Sequence, residues 1–177
     1  ELKNFSKLEI VNQPIFFHGD AFFSGFYLNE VLLRLCPLEV EMPQTFSQYS
    51  KTLEQLQKLS QQSDQNLFLR QILRQFEHEL LEDLGYAIDF SVDSNQEQIS
   101  SEMNYQFQLN DGFLATAQAS RSAVSGALIK TMMQYEKGGE FNLEQLQLLT
   151  KLYRQVITSL LGDRPLKSRQ LWVQNAQ

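Results

Sequence analysis

Apolar side chains recur at steps of three and four residues along most of this chain, and that period limits what it can fold into. Residues 67–84 show it most plainly, with Leu69, Ile72, Leu73, Phe76, Leu80, Leu81 and Leu84. A helix of 3.6 residues per turn gathers such positions into one stripe, whereas a strand would scatter them over both faces. Gly85 follows the last of them, where a helix can end on a left-handed residue. Residues 42–59 repeat the pattern with Phe46, Tyr49, Leu53, Leu56 and Leu59. Residues 142–161 do so with Leu146, Leu149, Leu152, Tyr153, Val156, Ile157, Leu160 and Leu161, after Asn142 as an N-cap with Glu144 and Gln145 in the first turn. Residues 21–35 carry large apolar groups at helical intervals until Pro37, which predicts a buried helix whose Ser24 and Gly25 let a neighbouring helix come close. A further helix is expected over residues 122–135, on Val124, Leu128, Ile129 and Met132, followed by a turn at Lys137, Gly138 and Gly139.

Between residues 87 and 116 the period falls to two. Residues 87–92, 103–109 and 112–116 read as short strands, the last two joined by a turn at Asn110, Asp111 and Gly112. No cysteine or histidine occurs there, so packing and hairpin pairing must hold this insert. Leu2, Phe5, Leu8, Ile10 and Val11 alternate among polar residues in a strand-like way near the start. A lone strand is unstable without partners, so the chain is expected to begin inside something larger. The expected fold class is mainly α: a helical bundle domain over residues 14–177 with a small antiparallel β insert at about residues 87–117.

The charge is unevenly placed. Net charge is −6, yet residues 151–177 hold Lys151, Arg154, Arg164, Lys167 and Arg169 against Asp163 alone, while the preceding 150 residues carry ten cations and twenty anions. A polyanion would meet the basic end. Three of those cations flank Pro165 in the stretch Gly162-Asp163-Arg164-Pro165-Leu166-Lys167-Ser168-Arg169. Gly162 and Pro165 stop the preceding helix there and leave a short stiff segment, which either presents charge to phosphate or closes a helical domain. A single cysteine, Cys36, excludes an internal disulfide framework. With no signal core or apolar run long enough to cross a bilayer, the chain reads as soluble and cytoplasmic. No nucleotide-binding or hydrolase motif occurs, and His18, His78, Cys36 and the carboxylates Glu77, Glu79, Glu82 and Asp83 form no recognisable catalytic spacing. The chain is not expected to be an enzyme, nor to need a metal or other cofactor.

Three blocks carry a family resemblance: Tyr27-Leu28-Asn29-Glu30-Val31-Leu32-Leu33-Arg34-Leu35; Leu73, Phe76, Glu77, Leu80, Leu81, Leu84, Gly85 and Tyr86 in the pattern L-x-x-F-E-x-x-L-L-x-x-L-G-Y; and the basic stretch from Gly162 to Leu171. Together they resemble the RecO family of bacterial recombination-repair mediators. The resemblance implies an N-terminal oligonucleotide-binding (OB-fold) barrel, of which residues 1–13 are the remnant and residues 1–11 the final strand. It also implies membership of the type lacking the zinc site that other relatives place around the β insert. It implies binding of single- and double-stranded DNA, annealing of complementary strands, loading of RecA together with RecR, and a nucleoid location. Lys151, Arg154, Arg164, Lys167 and Arg169 are the expected DNA contacts. A groove for the acidic C-terminal tail of single-stranded-DNA-binding protein is expected at Arg70, Leu73 and Arg74. The relatives' second basic residue is Gln75 here. Other readings stay open at this level: Arg74 as a surface partner of Glu77 or of His78 and Glu79, Asn29 and Glu30 as a pocket pair or as interhelix bonds and caps, and the whole chain as a helical adaptor that binds only a protein partner.

Overall fold

A computed structural model of the chain describes residues 14–117, 122–133 and 140–175, with side chains as far as residue 171. The OB-fold remnant expected at residues 1–13, with its strand, and the turn at Lys137, Gly138 and Gly139 lie outside the described residues. Six α-helices, one 3-10 turn (Leu59–Gln61) and one small sheet occur among them: α1 (Asp20–Leu35), α2 (Pro43–Gln57), α3 (Gln65–Asp83), β1 (Asn104–Gln108), β2 (Gly112–Thr116), β3 (Val124–Ser125), α4 (Gly126–Met132), α5 (Leu143–Leu161) and α6 (Lys167–Asn175). The mainly helical class with a small antiparallel insert is the one the periodicities predict.

Helix α3 stands between two apolar cores. Phe76 and Leu80, both fully buried, join Leu28 and Val31 of α1 and Leu56 of α2 in one, while Leu81 joins the sheet, α4 and α5 in the other. The pair Leu80 and Leu81 can serve two sides because successive helix positions diverge by about 100°. Asp64 caps α3 by accepting from the Leu67 amide at 2.9 Å, and at its end the Tyr86 amide reaches back to the Leu81 carbonyl past Gly85. Helix α5 opens with a reciprocal capping box between Asn142 and Gln145, as the sequence predicts for its N-cap.

Other expectations are corrected. Helix α1 is not buried all round, since Phe22 and Phe26 are half exposed and Leu33 protrudes. At Gly25 the close neighbour is the Phe17 ring, 3.2 Å from the position a Cβ would take, rather than another helix. In α2 the exposed Phe46 is rotated off the buried side, where Thr45 and Thr52 join the expected Tyr49, Leu53 and Leu56. The Asp83 carboxylate of α3 explains that rotation: it accepts from the Thr45 amide at 2.9 Å and from its hydroxyl at 2.6 Å, capping α2 from outside.

Residues 87–92 form no strand. Asp89 accepts from both the amide and hydroxyl of Ser91, and Asp93 from the amides of Asn95 and Glu97, so local turns take the backbone groups a strand would offer. A single bridge pairs Val92 with Gln98, while Ile88 and Phe90 still pack on the core from this loop. The third strand is Val124–Ser125, paired with the other edge of β1 to give the order β2-β1-β3. The expected helix over residues 122–135 therefore begins four residues later, at Gly126, capped by Ser125.

That junction is tight. A Cβ on Gly126 would lie 1.9 Å from the Ser100 carbonyl oxygen and 2.9 Å from the Tyr105 ring, whose hydroxyl accepts from the Ser100 amide. The Gly126→Ala variant should therefore lose roughly 1–3 kcal/mol of stability in urea denaturation. Wild-type stability would show that the sheet and α4 are not so closely packed.

Candidate functional site

The C-terminal basic stretch is not a tail. After Gly162 (φ +62°) ends α5, the chain turns through Pro165 and re-enters a helix, α6, which packs along α1 with Leu166 and Ser168 buried. Proline stops one helix here and precedes the next. Two residues one turn apart on α1 hold both sides of this turn. Glu30 accepts from the Lys167 amide at 2.9 Å through Oε1 and from the Ser168 amide at 2.8 Å through Oε2, placing a carboxylate on the open amides at the start of α6. Arg34 donates to the carbonyls of Leu161, Arg164 and Pro165 and lies 3.8 Å from Glu30. Asn29 accepts from the Tyr49 hydroxyl at 2.7 Å. The polar pair on α1 thus makes interhelix bonds and a cap.

Below this clamp lies a buried carboxylate. Glu77 on α3, 1% exposed, accepts from the Tyr27 hydroxyl and from Arg74 Nη2 on the same oxygen. Burial, then the adjacent Glu77 charge, pushes the Tyr27 phenol well above its ordinary range, so it stays a donor. Arg169 of α6 sits over the Tyr27 ring, 5.6 Å from its centre. Around this group opens a cavity of about 270 Å³ lined by Tyr27, Leu73, Arg74, Glu77, Thr150, Arg154, Ser168 and Arg169. Beside it a second cleft of about 560 Å³ runs along the turn between α5 and α6, with Arg154, Arg164 and Arg169 over an apolar floor of Leu161, Pro165 and Leu166.

The two predicted residue sets therefore meet. Leu73 and Arg74 from one, Arg154 and Arg169 from the other, line the smaller cavity; Arg164 faces only the larger cleft. Arg70 lines neither, and neither does exposed Lys167, whose amide is engaged by Glu30. Lys151 turns away to the Ser122 carbonyl at 3.1 Å. Arg74 does pair with Glu77, but as a buried pair rather than on the surface. Its charge is thereby matched, and Arg154 and Arg169 supply the surplus positive charge in the cavity. Tyr27, Glu77, Thr150 and Ser168 complete its lining; Tyr27, Glu77 and Ser168 fall within the three blocks that carry the family resemblance, whereas Thr150 belongs to none of them.

His78 contacts the Tyr153 hydroxyl at 3.0 Å and Glu82 at 3.5 Å. Burial, followed by the nearby Asp83 carboxylate, pushes the Cys36 thiol up, away from thiolate chemistry. Among the described residues no three His, Cys, Asp or Glu side chains converge as a metal site, and no helix is long and apolar enough to cross a membrane.

Residues 17–170 match the family model described as Recombination protein O C terminal. The chain belongs to the RecO family. It is 34% identical over 172 residues to DNA repair protein RecO of Pseudoalteromonas translucida, covering 97% of this chain and 70% of that relative. The RecO protein of Pseudomonas putida strain W619 is 35% identical over 172 residues, with 97% and 71% covered. That of Actinobacillus pleuropneumoniae serotype 7 is 32% identical over 173 residues, with 97% and 68% covered. Membership gives the chain a role in DNA repair and recombination, and these RecO relatives are named for repair rather than for a catalysed reaction.

The Glu30 cap carries a pH signature. Burial alone would raise this carboxyl, but the Ser168 and Lys167 donors and Arg34 outweigh it and hold it below the usual carboxylate value. A depressed folded value adds stability that is present above the unfolded value, near about 4.3, and is lost as pH falls through the folded one. At neutral pH the Glu30→Gln variant should be about 1 kcal/mol less stable than wild type. The gap should close in acid, below the folded value; a gap independent of pH in denaturation series would refute the assignment.

Proposed function

We propose that the chain acts as a non-catalytic mediator of recombinational repair that handles two anionic partners, a DNA strand and an acidic peptide tail. The reading is carried by one observation: Arg74, Arg154 and Arg169 converge on a cavity with Leu73 and Tyr27 in its wall. Such a cavity offers an apolar pocket for a terminal side chain beside fixed cations for its carboxylate. That is what the C-terminal tail of single-stranded-DNA-binding protein requires. The neighbouring cleft, with Arg154, Arg164 and Arg169, suits a phosphodiester backbone, whose binding draws on counterion release. Lys167, Lys151 and Arg70 line neither cavity and belong to the periphery. In the full reading, residues 1–13 end a preceding oligonucleotide-binding barrel and residues 14–177 form the helical domain. The protein anneals complementary single strands, binds duplex as well, and with RecR promotes RecA loading in the bacterial cytoplasm, at the nucleoid.

Two measurements test this. Replacing Arg164 and Lys167 together by Ala should weaken binding of a single-stranded oligonucleotide and flatten its log K against log salt plot by up to about 1.4. An unchanged slope would favour the alternative, a helical adaptor that binds only protein. An acidic peptide ending in a free-carboxylate phenylalanine should bind at least about tenfold more tightly than its C-terminal amide. Equal affinities would reject a carboxylate seat.

A further inference from the structure

We propose that an acidic peptide and a DNA strand exclude one another on this chain because their two seats share Arg154 and Arg169. The inference rests on the reading above and adds how the two ligands regulate each other. Of the cations involved, Arg74 faces only the smaller cavity and Arg164 only the larger cleft, whereas Arg154 and Arg169 line both. Within the smaller cavity Arg74 is matched by Glu77, which is itself buried and bound to Tyr27. A carboxylate entering there draws its net attraction from Arg154 and Arg169. A phosphate in the cleft draws on the same two guanidiniums together with Arg164.

Sharing is enforced by position. Arg169 is held over the Tyr27 ring, and the helix that carries it is fixed at its start by Glu30, so it stands on the boundary between the seats. Arg154 projects from the exposed side of α5 at the same boundary. Two anions placed together across that boundary would each find the cations half neutralised and would repel one another at short range. Occupation of one seat therefore empties the other, and by linkage the effect is equal in both directions.

The test uses the full chain, a fluorescent acidic peptide ending in a free-carboxylate phenylalanine, and an oligothymidylate of about eight nucleotides, a length suited to a single groove, at constant ionic strength. Each ligand is first titrated alone. The apparent Kd of the peptide should then rise in proportion to oligonucleotide concentration without reaching a plateau. A rise that levels off, or no rise, overturns the proposal while leaving two-ligand binding intact. Failure of either ligand to bind alone overturns the proposal and the function reading together. The Arg154→Ala variant, altered at an exposed position, should weaken both ligands about fivefold or more, while Arg164→Ala should weaken only the oligonucleotide. Loss of one ligand alone in Arg154→Ala would show that the seats are separate.

Discussion

The carboxylate of Glu30 decides where the last helix of this domain begins, and the candidate site depends on that choice. Helix ends leave amides and carbonyls without partners, and a turn containing Pro165 supplies none of its own for the amides that follow. Helix α1 meets both needs at once, with Glu30 on the opening amides of α6 and Arg34 on carbonyls at the close of α5 and in the turn. Each charge sits at the helix end whose dipole it complements. The result is a stiff corner that lays α6 along α1 and brings Arg169 over Tyr27.

Glu77 sets the electrical character beneath. A carboxylate with 1% exposure is costly unless it is bonded, and Tyr27 and Arg74 bond it from two helices. Those bonds consume the cation that sequence spacing offers most directly to a ligand. The site becomes electropositive only because α5 and α6 add Arg154 and Arg169, so ligand attraction is a property of the assembled corner and not of α3 by itself. A DNA repair role and an acidic body fit together on these terms, since Arg154, Arg164 and Arg169 are gathered at one corner.

Much of this was legible in the residues. Apolar spacing located α3 and α5 and named most of their buried positions, because Phe76, Leu80, Leu149 and Ile157 answer to a period that packing simply obeys. Failures occurred where a short-range bond competes with the pattern or a long-range one overrides it. Residues 88, 90 and 92 alternate as a strand would, yet the side chains of Asp89 and Asp93 curl the backbone into turns. The apolar spacing places Phe46 inside, but the Asp83 cap on Thr45 points it outward. Helix α6 has a weak stripe of its own, and its cap comes from a residue 137 positions earlier, so nothing local announces it. Separation in sequence likewise hides that Arg74, from the residues expected to hold a peptide, and Arg154 and Arg169, from those expected to hold DNA, share a wall.

The central claim is that Glu30 builds the cationic corner by seating α6, and a double-mutant cycle on acidic-peptide affinity between Glu30 and Arg169 tests it most directly. If seating is what Glu30 contributes, Arg169→Ala weakens the peptide in the wild-type background but adds little further loss once Glu30 is Ala. Fully additive losses would mean that Arg169 reaches its ligand whether or not Glu30 holds the helix, and would contradict the account.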